Sequence, residues 1–304
     1  MITFFSTPKP FRGHIGIIQR NAIHSWKLVH PDAEVILFGN EDGAAEVAFA
    51  VGARHEPEVD RNSLGTPLLS SLFDRADRLA RRDRLCFLNA DILLTDDFLA
   101  ASTRLAQIHE RSLMVGRRCD VDITQPWDFS EPDWGQRLRF MARECGRLRP
   151  PQWIDYFLFP RHLLYRQVPP FAVGRPGYDN WLLWKVRSVG VPVVDVTQVV
   201  LAIHQNHDYS HHPGGQKGLW QDVEARQNQA LLGKGHFATI DNATHRLTPN
   251  GLRPNYYHWI VQAKRKAIGA RNSVWFGLLG LTRPLRRRLG LRQRTRPEAS
   301  TGTK

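Results

Sequence analysis

Short apolar runs alternate with amphipathic segments along the first 112 residues. The runs are continuously hydrophobic, as in 34–38 and 85–88, which is typical of strands buried on both faces of a parallel sheet. Between them, apolar residues recur at three- and four-residue steps, as in 15–28 and 68–79, which predicts helices. Because strand and helix signals alternate, the pattern predicts an α/β fold with a mostly parallel central sheet flanked by helices.

Polar side chains stand where several of these strands are predicted to end. Thr7 follows the first strand, and Asn89-Ala90-Asp91 follows the apolar run at 85–88. Ligands of open α/β sheets bind outside the carboxyl ends of the strands. Residues two apart on a strand point the same way, so Asn89 and Asp91 are expected side by side, a pair suited to a hydroxyl and a hard cation. The alternative is a strand whose last residues simply start a turn.

After residue 112 the pattern becomes mixed. Strands are predicted at 113–117, 153–159, 191–196 and 199–203, helices at 136–145 and 178–189, and a loop at 120–134. Asp155 stands inside an apolar strand in this scheme, and Asp179 begins a helix rich in aromatic residues. We therefore expect a βαβ half at 1–112, a second half of the same domain at 113–232, and a C-terminal extension at 233–304 that is basic and helical or partly disordered.

Histidines concentrate directly after the predicted strand at 199–203. Four of the thirteen histidines fall at positions 204, 207, 211 and 212. They lack the H-E-x-x-H spacing of hydrolytic zinc sites, so the pattern favours a loop that supplies one imidazole to a site. A solvated, histidine-rich turn is the alternative, since proline and two glycines follow directly.

The charge of the chain is concentrated at its C-terminal end. The formal net charge is +13, and residues 264–304 contribute +11 of it, so the preceding residues carry only +2. An apolar block at 273–282 stands beside a basic block at 283–292, which suits the headgroup layer of an anionic membrane. The alternative is a helix packed on the body. The pattern does not favour nucleic acid as a partner, because the arginine-rich part has no interleaved aromatic residues.

Cysteine use and the N-terminal segment bear on the compartment. The three cysteines are far apart and in no C-x-x-C spacing, which indicates neither a disulfide framework nor a thiolate metal site. The first residues form an apolar strand without a basic leader, and no run is long enough to span a membrane. We expect a cytoplasmic protein, peripheral at the inner face of the cell membrane if the tail binds lipid.

Taken in order, these motifs resemble those of bacterial GT-A nucleotide-sugar glycosyltransferases. The D-x-D motif of that class corresponds to Asn89-Ala90-Asp91. The resemblance implies a GT-A-like single domain in which Asp91 binds a divalent cation, manganese in preference to magnesium, while Asn89 faces the ribose or sugar. It also implies a late histidine ligand, His204 first and His207 second. His211, Gly214 and Lys217 echo an H-x-x-G-x-x-K pattern whose lysine meets the diphosphate.

The chain departs from the class pattern at two positions. Asn89 replaces the first acid of D-x-D, which removes one charge from the cation site, and Tyr178 replaces the glutamate that usually precedes Asp179. Asp179 is still a candidate general base, although its place at a helix N-terminus favours the charged form. Asp155 is the rival, because burial in a strand would raise its proton affinity.

Each of the remaining candidates also has a structural alternative. Asp179 could be an ordinary helix N-cap, and Asp155 a carboxylate satisfied by an arginine such as Arg143 or Arg161. Thr7 is expected to contact the nucleotide base or ribose. Arg12 is expected either at the phosphates or on the surface.

The function expected from these residues is transfer of a sugar, of hexosyltransferase type. The resemblance implies a nucleotide-diphosphate donor, with a UDP-sugar favoured, and a glycan, lipid-linked or small-molecule acceptor, as in polysaccharide biosynthesis. A sugar nucleotidyltransferase is the second hypothesis, but it should have a glycine-rich loop after the first strand, where Thr7-Pro8-Lys9-Pro10 stands. A polybasic scaffold that binds membrane or nucleic acid is the third.

Overall fold

The computed structural model of the protein describes residues 1–208 and 214–256. Its strands are β1 (Ile2–Ser6), β2 (Glu34–Phe38), β3 (Arg54–Glu56), β4 (Arg84–Leu88), β5 (Ile92–Leu93), β6 (Leu113–Val115), β7 (Arg118–Val121), β8 (Arg147–Leu148), β9 (Tyr156–Pro160), β10 (Val193–Asp195), β11 (Ala202–Gln205), β12 (His245–Thr248) and β13 (Gly251–Pro254). Its helices are α1 (Gly13–Val29), α2 (Ala44–Ala50), α3 (Leu69–Leu79), α4 (Asp96–Ile108), α5 (Trp134–Cys145), α6 (Tyr178–Ser188), α7 (Gly215–Gln221) and α8 (Val223–Leu232).

A mostly parallel sheet forms the centre of the domain. Its nine strands follow the order β13-β12-β10-β6-β9-β4-β1-β2-β3. Strand β9 runs antiparallel to both of its neighbours, β4 and β6, and β13 runs antiparallel to β12. The predicted α/β fold with a mostly parallel central sheet is therefore confirmed. The carboxyl ends of β1, β2 and β4 meet at one edge, where the antiparallel β9 begins.

A smaller sheet stands beside this edge, with the strand order β5-β11-β7-β8. Strand β11 runs parallel to β7, and the register of this pair places His204 opposite Asp120. It runs antiparallel to β5, and the register of that pair places His204 opposite Ile92. Because β5 begins directly after Asp91, this sheet brings the late histidine back to the end of β4. The predicted loop at 120–134 is wrong at its start, since β7 occupies Arg118–Val121.

Apolar side chains fill both faces of the large sheet. Strand β1 is buried along its whole length, and the ring of Phe5 contacts those of Phe73 and Phe87 at centroid distances of 5.2 and 5.4 Å. On the other face Trp26 of α1 is fully buried, and its indole N–H donates to the Ile92 carbonyl at 2.7 Å. Each such side chain contributes about 1.5–3 kcal/mol by burial. This core fixes the strand ends that carry the polar residues.

The end of the described chain also joins the large sheet. Strands β12 and β13 lie within the predicted extension at 233–304, and β12 pairs with β10. The division of the chain at 112 and 232 stays a prediction. The basic tail at 264–304 lies outside the described residues. Within the residues described, none of the helices combines the length and the hydropathy that crossing a bilayer requires.

Candidate functional site

A cleft of about 560 Å³ opens at the edge where β1, β2 and β4 end. Its size is within the range of small-molecule sites, roughly 300–1,000 Å³. The predicted site residues that line it are Thr7, Asn89, Asp91, Asp155, Asp179, His204 and His207. The sheet therefore brings together residues that are up to two hundred positions apart in the sequence.

Asp91 and two histidines converge in this cleft. Asp91 Oδ2 lies 3.6 Å from His204 Nε2 and 3.3 Å from His207 Nε2. One ligand atom from each residue falls within 4.8 Å of the others, as in a site for a metal ion. Asp91 Oδ1 is buried, and it has no hydrogen-bond partner among the described residues. A buried carboxylate oxygen without a partner is costly, so this arrangement fits a cation.

The electrostatics of this cluster favour a charged carboxylate. Burial acts to raise the pKa of Asp91, but attraction to His204, His207 and Lys9 outweighs it and holds the pKa well below its ordinary value. Burial acts to lower the pKa of His207, but the hydrogen bond to Asp91 outweighs it and raises the pKa. A bound cation would displace the imidazole proton, since metal ligation requires neutral histidine.

His204 is held by a residue that the sequence did not single out, Asp120 in β7. Asp120 Oδ1 lies 3.2 Å from His204 Nδ1, which leaves Nε2 directed towards Asp91. Arg118 lies 2.9 Å from Asp120 Oδ1 through its Nε and 2.9 Å from Asp155 Oδ2 through its Nη1. The buried Arg118 therefore links Asp120, which holds His204, to Asp155, which precedes β9.

Asp155 and Asn89 are engaged with each other. Asn89 Nδ2 donates to Asp155 Oδ1 at 2.5 Å, and the Tyr178 hydroxyl donates to Asn89 Oδ1 at 3.3 Å. With Arg118 on its second oxygen, Asp155 has a partner at each oxygen. Asp155 precedes β9 and does not lie inside it, so the predicted strand position is wrong. The arginine that satisfies it is Arg118, because β7 runs beside the cleft, and it is neither of the two arginines that the sequence suggested.

Asp179 lies half-buried in the cleft at the first turn of α6. The cap position of this helix is Gly177, so Asp179 is not its N-cap. Burial raises the pKa of Asp179 to about 7, and the nearby charge of Asp155 adds to the shift. The helix N-terminus was expected to weaken this group as a base. Desolvation outweighs that effect, and the carboxylate is matched to proton transfer near neutral pH.

Thr7 and Glu41 lie where β1 and β2 end. Both line the cleft, and the Thr7 hydroxyl and Glu41 Oε2 are buried without a hydrogen-bond partner among the described residues. The other carboxylate oxygen of Glu41 pairs with Arg61 at 2.7 Å. Glu41 has a recognisable position in the sequence, since it lies in the turn that follows a buried strand. These two unpaired groups can bind hydroxyl and N–H groups of a ligand.

Two predicted cations are not among the residues that line the cleft. The side chain of Arg12 is 78% exposed and pairs with Asp42 at 2.8 Å. Arg12 therefore lies on the surface, which is the second of the two positions expected for it. Lys217 is exposed on α7, and His211 of the same pattern lies outside the described residues. Lys9 and Arg175 line the cleft instead. Arg175 is neutralised by Asp222 and Glu224, whereas the amine of Lys9 is attracted by Asp91.

No protein-family model matches the sequence, and no curated protein matches it. Among solved structures, the fold is similar to glucosyl-3-phosphoglycerate synthase from Mycobacterium tuberculosis, at 18% identity over 76% of this chain and 79% of that one, with a TM-score of 0.45. A structure of that enzyme with Mg²⁺ and uridine diphosphate is similar at 17% identity over 84% of this chain and 86% of that one, with a TM-score of 0.44.

A mannosyltransferase from Pyrobaculum calidifontis, in complex with GDP-Man and Mn²⁺, is similar at 15% identity over 67% of this chain and 56% of that one, with a TM-score of 0.40. These are similarities of fold, and they carry no information on the chemistry of this cleft.

Proposed function

We propose that the protein is a glycosyltransferase that uses a nucleotide-diphosphate sugar and a divalent cation. The observation that carries this proposal is the convergence of Asp91, His204 and His207 within 4.8 Å in a cleft at the strand ends. The unpaired Oδ1 of Asp91 supports it, because a cation would satisfy that oxygen. Sugar transfer of hexosyl type, with a UDP-sugar as donor, is the specific form of the proposal.

The donor set also favours one class of cation. One carboxylate and two imidazoles suit a first-row transition metal, whereas magnesium is bound mainly through oxygen and water. We therefore propose Mn²⁺ in preference to Mg²⁺. A cation bound to these residues would neutralise the charge that develops on the departing diphosphate. The proposed cation site has three protein ligands, Asp91, His204 and His207. It therefore does not depend on an acid at the position of Asn89.

Residues at the ends of β1 and β2 are proposed to bind the donor. The unpaired Thr7 hydroxyl and Glu41 carboxylate oxygen would take the hydroxyl or N–H groups of the nucleoside. Lys9, which lies in the cleft and is attracted by Asp91, would take a diphosphate oxygen, the role that the sequence suggested for Lys217 and Arg12. Burial lowers the pKa of Lys9, and an anionic ligand beside this amine would raise it again.

Asp179 is proposed as the general base. The acceptor hydroxyl must lose a proton as it attacks the anomeric carbon, and a carboxylate whose pKa is raised to about 7 by burial can accept it. Asp155 is less suited to this step, because Asn89 and Arg118 occupy its two oxygens. We propose that Asp155 and Asn89 hold the wall of the cleft, with Tyr178 bonded to Asn89.

The structure gives less support to a sugar nucleotidyltransferase. The loop after β1 contains Pro8 and Pro10 and no glycine before Gly13, and the Lys9 backbone N–H already donates to Gln19 at 2.6 Å. A loop of this kind offers few free N–H groups to a triphosphate. The proposed transferase instead uses side chains in the cleft.

Calorimetric titration with UDP, with and without Mn²⁺, tests the proposal. We expect Mn²⁺ to strengthen UDP binding, and Asp91→Asn to abolish that gain while leaving the weaker metal-free binding unchanged. Asp128→Asn is the matched control, since Asp128 is an exposed carboxylate outside the cleft lining. GDP and ADP titrations then test the preference for uridine. Binding of UDP that depends on neither Mn²⁺ nor Asp91 would show the proposal to be wrong.

Membrane association through residues 264–304 is proposed from sequence alone. Each basic residue near an anionic surface contributes about 1 kcal/mol to binding. Flotation with anionic and with neutral vesicles measures it, and replacing Arg286, Arg287 and Arg288 by glutamine should release the protein from the anionic vesicles. A loss of UDP binding in this variant would instead favour the polybasic-scaffold hypothesis, in which the tail carries the activity.

A further inference from the structure

Aromatic side chains line the cleft that also holds Asp179 and are left open to solvent. Trp220 on α7 is 47% exposed and Phe237 is 52% exposed, although both line the cleft. The rings of Trp220 and Trp153 lie 5.7 Å apart at an interplanar angle of 47°. Large aromatic surfaces that stay exposed in a cleft are those that a ligand covers.

The Trp153 ring is fixed before any ligand binds. Arg118 lies over it at 4.7 Å from the ring centroid, and Arg149 lies over it at 4.4 Å. Arg118 is itself held by Asp155, and Arg149 Nε lies 3.3 Å from Asp120 Oδ2. A side chain held in this way loses little conformational freedom when it binds a ligand, which improves affinity.

The aromatic surface lies on the side of the cleft away from the proposed nucleoside groups. Trp153 comes just before β9, and β9 pairs with β4 on the side opposite β1 and β2. Asp91 follows β4 and so stands between the two sides. A donor held at the ends of β1 and β2, with its diphosphate near Asp91, leaves the aromatic side for the acceptor.

Polar groups interleave with these rings. Gln152 is exposed next to Trp153, and the Asp179 carboxylate lines the same cleft. An acyl or prenyl chain would leave such groups unsatisfied, at a cost for each buried polar atom. A pyranose has the matching chemistry, because its C–H face packs on an aromatic ring while its hydroxyls reach polar groups at the rim.

We propose that Trp220 and Trp153 form an acceptor subsite for a pyranose ring, so that the acceptor is a saccharide or carries a sugar at its reacting end. This inference rests on the proposed function, because it names the acceptor of the same reaction. Trp220 would contact the acceptor directly, and Trp153 would support it. The reacting hydroxyl would then approach Asp179.

Saturation-transfer NMR on the full-length protein tests this subsite. The probes are the methyl glycosides of glucose, galactose, mannose and N-acetylglucosamine, each added to protein that holds UDP and Mg²⁺, which is diamagnetic and does not broaden the ligand signals as Mn²⁺ would. We expect transfer to the ring C–H protons of at least one glycoside. Trp220→Ala should weaken its binding about tenfold, and Trp220→Phe should restore most of it. Phe140→Ala is the control, since Phe140 is 67% exposed and is not among the residues lining the cleft.

The outcomes separate this inference from the proposed function. If UDP and the divalent cation bind but no glycoside receives saturation, the saccharide subsite is wrong while the transferase proposal stands. The subsite is also wrong if Phe140→Ala weakens glycoside binding as much as Trp220→Ala does. If no glycoside binds, but a prenyl phosphate binds and Trp220→Ala weakens its binding, the aromatic surface binds a lipid and the saccharide subsite is wrong. Failure of UDP to bind in the same samples would instead count against the proposed function.

Discussion

Asp120 Oδ1 lies 3.2 Å from Nδ1 of His204, from which it is separated by 84 positions in the sequence. The two residues face each other in the parallel register of β7 and β11. Burial acts to raise the pKa of Asp120, but the hydrogen bond to His204 and the charge of Arg118 outweigh it and lower the pKa. The carboxylate therefore fixes the imidazole with Nε2 directed at Asp91. Carboxylates behind metal-binding histidines act in this way.

Replacing Asp120 should weaken metal binding without removing a ligand. In Asp120→Asn the side chain keeps its shape but loses the charge that orients and polarises His204. We expect the dissociation constant for Mn²⁺ to rise about 10–100-fold in calorimetric titration. Asp128→Asn, which changes an exposed carboxylate outside the cleft lining, should bind Mn²⁺ like the parent. An unchanged Mn²⁺ affinity in Asp120→Asn would mean that His204 is not a ligand or needs no support.

The rate of sugar transfer should rise with pH around the pKa of Asp179. Burial raises this pKa to about 7, so the carboxylate becomes available as a base only as pH passes that value. Asp179→Asn should lower kcat by about 10²–10⁴-fold and should retain UDP and Mn²⁺ binding. The measurement is UDP release from a UDP-sugar across the pH range. If Asp179→Asn kept the parent's rate and pH profile, the base would be another group.

The same pKa shift predicts a pH dependence of stability. The pKa of Asp179 is raised from an ordinary value of 3.8 to about 7, so between these values the folded protein holds a proton that the unfolded chain has released. Stability from this group is complete below the unfolded pKa and is lost as pH rises through about 7. Asp179→Asn should therefore raise the melting temperature relative to the parent more at about pH 8 than at about pH 5.

Sequence patterns predicted the parts of the fold that depend on local periodicity. Apolar residues are continuous in the strands at 34–38 and 85–88, and they are periodic in the helix Gly13–Val29. Burial follows such patterns directly. Strand β3 (Arg54–Glu56) was missed because its three side chains are polar and only half-buried. The short β7 was missed because Arg118 and Asp120 are polar, and their partners Asp155 and His204 are distant in sequence.

Residues of the site were easiest to predict where a polar residue interrupts an apolar strand end. Asp91 and His204 have that signature, and both line the cleft. Asp120 lacks it, since its role depends on a strand register that no local pattern specifies. For Arg12 the sequence left two positions open, at the phosphates and on the surface. A basic residue near a strand end is compatible with a phosphate and with a surface ion pair, and only the contact with Asp42 decides between them.

The buried pair of Arg118 and Asp155 should matter more for stability than the exposed pair of Arg12 and Asp42. Removing Asp155 leaves a buried guanidinium without one of its counter-charges, which costs about 3–5 kcal/mol. Removing Asp42 should change stability by at most about 1 kcal/mol, because Arg12 is solvated. Urea unfolding of Asp155→Ala and Asp42→Ala measures both free energies. Equal losses in the two variants would contradict the assignment of Asp155 to a structural pair.

Replacing the Thr7 hydroxyl should separate ligand binding from stability. In Thr7→Val the side chain keeps its shape, and the buried oxygen that has no partner among the described residues is removed. The free protein should be as stable as the parent or more so, whereas UDP should lose a hydrogen bond worth about 0.5–1.5 kcal/mol. Melting curves and UDP titrations measure the two effects, with Thr103→Val, at an exposed position of α4, as the matched control. A variant that melts earlier yet binds UDP normally would place the hydroxyl in the scaffold instead of the donor site.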